Sequence, residues 1–182
     1  MTADQPTSTA DITVLATGGT IDKIYAIAGQ LEIGPPAAQR LLEALTTDLR
    51  IELRSVLAKD SLDLTPADRR TLADALDEVG TRSVVITHGT DTLAETAGYL
   101  DEHGAGTAKV VVLTGALQPA AMAVSDAALN LGAALMASQM LEAGVYVCMG
   151  GRVFPAGTVR KDPSTGRFLR TSPPAGRTRR HA

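Results

Sequence analysis

Ile12-Thr13-Val14-Leu15-Ala16 runs directly into Thr17-Gly18-Gly19-Thr20. A short apolar run that stops on a glycine pair reads as a buried strand entering a tight turn. Four further runs share this character, at 51–57, 83–87, 109–113 and 145–149, each bounded by polar or glycine-containing segments. Between them lie helical patterns at 37–45, 66–79, 93–102 and 126–141, the second opened by Thr65 as N-cap and Pro66 in the first turn. Strand and helix therefore alternate. Near-continuous apolar strands in that order predict an α/β fold in which a mostly parallel sheet is covered by helices on both faces.

The chain has 182 residues, 45% of them hydrophobic, and a formal net charge of −3. That length suffices for one domain burying roughly 70% of its unfolded surface. We expect a domain over 11–170, flanked by a disordered tail at 1–10 and a basic flexible tail at 171–182. Three Tyr, two Phe and no Trp leave almost nothing for stacking nucleic-acid bases. The lone Cys148 and the scattered His88, His103 and His181 predict neither a disulfide nor a metal site. The opening ten residues carry Asp4, no Lys or Arg and no apolar core, unlike a signal or transit peptide. The least charged stretch, 127–151, is interrupted by Asn130, Ser138 and Gln139 well short of a membrane span. The expectation is a cytoplasmic protein without a membrane or nucleic-acid partner. From Arg152 onward the chain carries +7, leaving −10 on the rest. Basic tails can bind nucleic acid, but Pro173, Pro174 and Gly176 without periodicity read as a solvated terminus.

In Rossmann-like three-layer folds ligands bind beyond the carboxyl ends of the strands. The segments that follow the strands here are Thr17-Gly18-Gly19-Thr20, Lys59-Asp60-Ser61, His88-Gly89-Thr90-Asp91-Thr92 and Thr114-Gly115-Ala116, with Arg160-Lys161 further on. Taken singly, each also reads as an ordinary turn. Thr92-Leu93-Ala94-Glu95 fits a capping box, which leaves Thr90 and Asp91 just before the helix, where an anion is favoured. Asp91 reads either as a helix cap or as the partner of a substrate cation or of Lys161. The glycine pair lacks the third glycine of a dinucleotide loop and the lysine of a P-loop. Its other use is to let backbone amides approach a carbonyl while Thr20 presents a hydroxyl nucleophile. Tyr25, Asp91 and Lys161 are the candidates to accept its proton, and His88 reads as a hydrogen-bonded core histidine.

Ala16-Thr17-Gly18-Gly19-Thr20-Ile21 together with Ile86-Thr87-His88-Gly89-Thr90-Asp91-Thr92 resembles the paired signature of the bacterial L-asparaginase and glutaminase family. The similarity continues through Val112-Leu113-Thr114-Gly115-Ala116, Ser125-Asp126 with Asn130-Leu131, and Gly157-Thr158-Val159-Arg160-Lys161, so it spans about 12–168. The resemblance implies a threonine amidohydrolase that converts L-asparagine to L-aspartate and ammonia, with no metal or organic cofactor. By the same matching Thr20 is the nucleophile, while Thr90, Asp91 and Lys161 form a second catalytic trio. Asp91 also grips the substrate amine, Gly19 and Gly89 line the substrate, and Ala116 faces the amide. Tyr25 is the nearest equivalent of the family's loop tyrosine.

Two departures from the family pattern bear on function. Leu57-Ala58-Lys59-Asp60 stands where the family has Gly-Ser-Gln-Asp, keeping Asp60 for the amine and leaving Lys59 or Ser61 to hold the α-carboxylate. The family's second, C-terminal domain is not matched, so the chain looks like the short, single-domain type. The resemblance further implies a homo-oligomer, a dimer. The alternative reading is a non-catalytic or partner-dependent amino-acid-binding module, or an amidotransferase subunit. Glutamine in place of asparagine, and a nucleotide-binding module, rank below both.

Overall fold

The structure, a computed structural model, describes residues 10–171. Strands β1 (Ile12–Gly18), β4 (Ile51–Lys59), β5 (Ser83–Thr87), β6 (Val110–Thr114) and β7 (Gly144–Met149) lie in one sheet with β8 (Arg152–Pro155). The spatial order is β4-β1-β5-β6-β7-β8, and every pairing is parallel except that of β8, which returns antiparallel along β7. The expected α/β architecture is therefore present.

Alternation along the strands explains the layers. Leu15, Val84, Ile86, Val111 and Leu113 pack with Leu72 and Leu76 of α2 (Pro66–Asp77) and with Leu93, Ala97 and Leu100 of α3 (Leu93–Glu102). The intervening Val14, Val85, Val110 and Val112 pack instead with Ala38 of α1 (Ala37–Glu43) and with Leu131, Ala134 and Leu135 of α4 (Ala127–Met140). Because both faces are covered, β1, β5 and β6 carry no polar face and read as continuous apolar runs. Thr65 caps α2 and Pro66 occupies its first turn, as the sequence predicts, and Asp68 completes a capping box with Thr65.

The differences lie in short elements. A β2 (Lys23–Tyr25) and β3 (Leu31–Ile33) hairpin and a β9 (Val159–Lys161) and β10 (Phe168–Arg170) hairpin, like β8, are too short to show a period. Helices α1, α2 and α4 end slightly inside their expected limits. The expected tails at 1–10 and 171–182 lie outside the described residues, apart from Ala10 and Thr171. Among the described residues no helix is long and apolar enough to cross a membrane, and no cluster of His, Cys, Asp and Glu is arranged to hold a metal.

Topology also places the site. Chain order reverses between β1 and β5, since the connection after β1 leads to β4 on one side and later strands add on the other. At such a reversal the loops leave in opposite directions and open a crevice at the carboxyl ends of the strands. Thr20 follows β1 and Thr90 follows β5.

Candidate active site

The turn after β1 is built by two glycines in the left-handed region, Gly18 (φ 95°) and Gly19 (φ 83°), leading into a 3-10 turn at Thr20–Asp22. Their missing side chains permit two backbone contacts. A Cβ on Gly18 would stand 2.6 Å from Lys59 N and O, and one on Gly19 would stand 2.3 Å from Gly89 Cα and N. The Gly19 N–H donates to Lys59 O at 2.9 Å, and Thr17 Oγ1 donates to Thr87 O at 2.9 Å. The loop carrying Thr20 is thus pressed against the loop carrying Thr90. Thr20 is half-buried, and no hydrogen bond engages its hydroxyl among the described residues.

Thr90 is buried and Asp91 exposed, and one ammonium joins them. Lys161, which enters from β9, places Nζ 2.8 Å from Thr90 Oγ1 and 2.6 Å from Asp91 Oδ1. The Asp91 carboxylate is therefore the partner of Lys161, and no side chain caps α3. The capping box expected at Thr92 and Glu95 does not form. Thr92 Oγ1 donates to Ser61 O at 2.8 Å, and Glu95 pairs with Arg69 at 3.0 Å, because each finds a tertiary partner better placed than the helix end.

The turn after β4 separates the two candidate carboxylate donors. Lys59 Nζ is held by Asp68 at 2.8 and 3.0 Å, an arrangement that draws the Asp68 carboxyl down to about 2, with the Thr65 N–H and hydroxyl adding to the effect. The lysine is occupied. Ser61 is buried, and its Oγ has no hydrogen-bond partner among the described residues. Ser61 packs on the same glycine that meets Gly19, since a Cβ on Gly89 would stand 2.6 Å from Ser61 Oγ. Asp60 is not free either. Its Oδ2 accepts from Lys23 Nζ at 2.7 Å, which lowers the carboxyl pKa, and Oδ1 accepts from Leu62 N.

The β6 loop closes the third side. Ala116 is fully buried against Ile21 and Ala127. A Cβ on the preceding Gly115 would stand 2.3 Å from His88 O, so this loop also abuts the β5 loop. Asn130 fixes it, donating from Nδ2 to Gly115 O at 2.9 Å and to Asp126 Oδ2 at 2.8 Å while its Oδ1 accepts from Gly150 N at 3.1 Å. His88 is a core histidine as expected, with Nδ1 2.8 Å from Gly89 O, but Nε2 has no partner among the described residues. Burial pushes its pKa down to about 4, so the ring is neutral near pH 7.

Gly19, Gly89, Thr90, Asp91, Lys161, Ser61 and Ala116 thus belong to segments in contact, and Thr20 follows directly from Gly19. Tyr25 stands apart, 74% exposed on the β2–β3 hairpin. The sequence motifs do not mark Asp22 and Lys23. Asp22 is 2% exposed and accepts from Ala37 N at 2.7 Å, and its only signal in the sequence is an acidic residue directly after the Thr-Gly-Gly-Thr-Ile segment.

Comparison with known proteins identifies the family. The family model "Asparaginase, N-terminal" matches residues 11–180. The L-asparaginase of Thermococcus kodakarensis is 34% identical over 164 residues, covering 84% of this chain and 48% of that protein. A glutamyl-tRNA(Gln) amidotransferase component of Methanococcus vannielii is 32% identical over 149 residues, covering 79% of this chain and 35% of its own. The structure of the thermostable Thermococcus kodakarensis L-asparaginase superposes with a TM-score of 0.76 at 31% identity, covering 87% of this chain and 50% of that one. The chain spans about half the length or less of these relatives. With its fold, its paired threonine loops and its match over 11–180, the chain belongs to the asparaginase family, in the part described as the N-terminal domain.

Proposed function

We propose that this domain hydrolyses the side-chain amide of L-asparagine to L-aspartate and ammonia. The observation that carries the reading is Lys161 Nζ bridging Thr90 Oγ1 and Asp91 Oδ1 on the loop that Gly19 presses against, one residue before Thr20. In this mechanism Thr20 Oγ1 gives up its proton and bonds to the amide carbon. The C–N bond then breaks, and the nitrogen takes up a proton and leaves as ammonia. Water attacks the resulting ester, releasing aspartate and restoring the hydroxyl.

The Thr90, Asp91 and Lys161 network supplies the proton path, and the Lys161 ammonium stabilises negative charge as it develops. Asp91, 44% exposed at its side chain, receives the substrate's α-amino group. The unpartnered Ser61 hydroxyl donates to the α-carboxylate, a role that Lys59 cannot share while it holds Asp68. Asp60, tied to Lys23, shapes the turn. Tyr25 reaches the substrate only if its hairpin folds inward. A homodimer in the cytoplasm belongs to the same proposal.

Ammonia release from asparagine by the parent chain and by Thr20→Ala tests the reading. The variant is expected to lose at least ~1,000-fold in rate with its melting temperature unchanged. Equal rates would remove Thr20 as nucleophile. Binding of asparagine by the parent chain without ammonia would favour a partner-dependent module, the part that the amidotransferase relatives suggest.

A further inference from the structure

We propose that Asp22 is a positioning residue for Thr20, its carboxylate tying the glycine turn to the first residue of α1 and so fixing where the Thr20 hydroxyl points. The catalytic consequence rests on Thr20 being the nucleophile, whereas the geometric part does not.

Thr20 sits midway between Gly18 and Asp22. Both glycines before it have positive φ and no side chain, so the turn's shape must be imposed from outside. Asp22 imposes it through each of its polar groups. Its N–H donates to Gly19 O at 3.1 Å, its carbonyl accepts from Gly34 N at 2.8 Å, and its Oδ1 accepts from Ala37 N at 2.7 Å. The nearby Gly18 N–H also favours the ionised carboxylate. Asp22 therefore ties the turn that carries Thr20 to the start of α1.

No cation among the described residues compensates it. A cavity of about 450 Å³ opens beside Asp22, and its other charged residues are Lys23, Arg40 and Glu43. Lys23 is held by Asp60 at 2.7 Å, Arg40 donates to Ala120 O at 2.6 Å, and Glu43 accepts from Gln39 at 3.1 Å. Lys59 of the neighbouring β4 is held by Asp68. Burial raises the Asp22 carboxyl to about 6 against the pull of the Ala37 and Gly18 N–H groups, so the ionised form is costly above that pH. Desolvation alone gives no reason for a carboxylate here instead of an amide. A carboxylate only accepts from the N–H groups it faces, whereas an asparagine can aim its own NH₂ at one of them.

Two measurements test this. First, the Thr20 methyl and amide NMR resonances of the parent chain are followed from pH 4 to 8, and again in Asp22→Asn. They are expected to titrate with a midpoint near 6 in the parent and to lose that step in the variant. Second, for asparagine, Asp22→Asn is expected to lower kcat about 10-fold or more with KM within about twofold. Its melting temperature at pH 8 should be no lower than the parent's. Thr20 resonances that ignore Asp22, or a variant with parental kcat, would overturn the inference. A parent chain without ammonia release, but with Thr20 following Asp22, would sink the amide-hydrolysis reading and leave the positioning role supported.

Discussion

Gly19 and Gly89 meet backbone to backbone: a single carbon added to Gly19 would stand 2.3 Å from Gly89 Cα and N. This contact joins the end of β1 to the end of β5 and brings the Thr20 and Thr90 loops together. Gly19→Ala combines the clash with a φ of 83° that alanine avoids. We expect a stability loss of about 2–3 kcal/mol by urea unfolding, together with loss of ammonia release. A variant with both properties intact would show that the two loops need not touch.

Lys161 and Asp91 form a partly exposed pair whose worth to stability is small. Lys161→Met and Asp91→Asn are each expected to leave the melting temperature within about 3 °C of the parent's and to lower kcat at least ~100-fold. Steady-state kinetics beside thermal unfolding separate the two effects. A large drop in melting temperature with little change in kcat would make the pair structural.

Ser61 gives a prediction of opposite sign for stability and affinity. Its hydroxyl is buried without a partner among the described residues, so Ser61→Ala removes a desolvated polar group and should be neutral or slightly stabilising. If the hydroxyl serves the substrate α-carboxylate, KM for asparagine rises about 10-fold or more. The same substitution at Lys59 should leave KM nearly unchanged, since that ammonium is committed to Asp68.

Asp22 predicts an unusual dependence of stability on pH. Its carboxyl sits at about 6 in the fold against 3.8 for the free group, so the folded state binds the proton more tightly. That contribution is full below about pH 4 and is lost as pH rises through 6. Urea unfolding should show this group withdrawing on the order of 3 kcal/mol between those limits. Asp22→Asn should flatten that part of the profile. An identical slope in parent and variant would assign it elsewhere.

Lys23 and Asp60 fasten the β2–β3 hairpin to the turn that holds Ser61. Lys23→Met should cost less than about 1 kcal/mol in global stability. Limited proteolysis in the hairpin's connecting turn, around Ala26 and Gly29, should nevertheless become faster, because local opening is what the pair restrains. Unchanged cleavage would mean that the hairpin is held by other contacts.

Sequence by itself determined the layers of this protein. Strands buried on both faces read as near-continuous apolar runs, so Ser83–Thr87 and Val110–Thr114 could be read with little context, as could a helix announced by Thr65 and Pro66. It also marked the candidate residues by type and order along the chain, with Thr20, Thr90 and Asp91 following predicted strands and Lys161 further on. Tertiary structure decided which partner each side chain takes. Lys59 had equal chemical claim to a substrate carboxylate and to Asp68, Thr92 to its own helix and to Ser61, and Asp22 gave no sign that it would cross the turn to Ala37. Burial and hydrogen-bond competition over long chain separations settle such choices, and no local pattern encodes them.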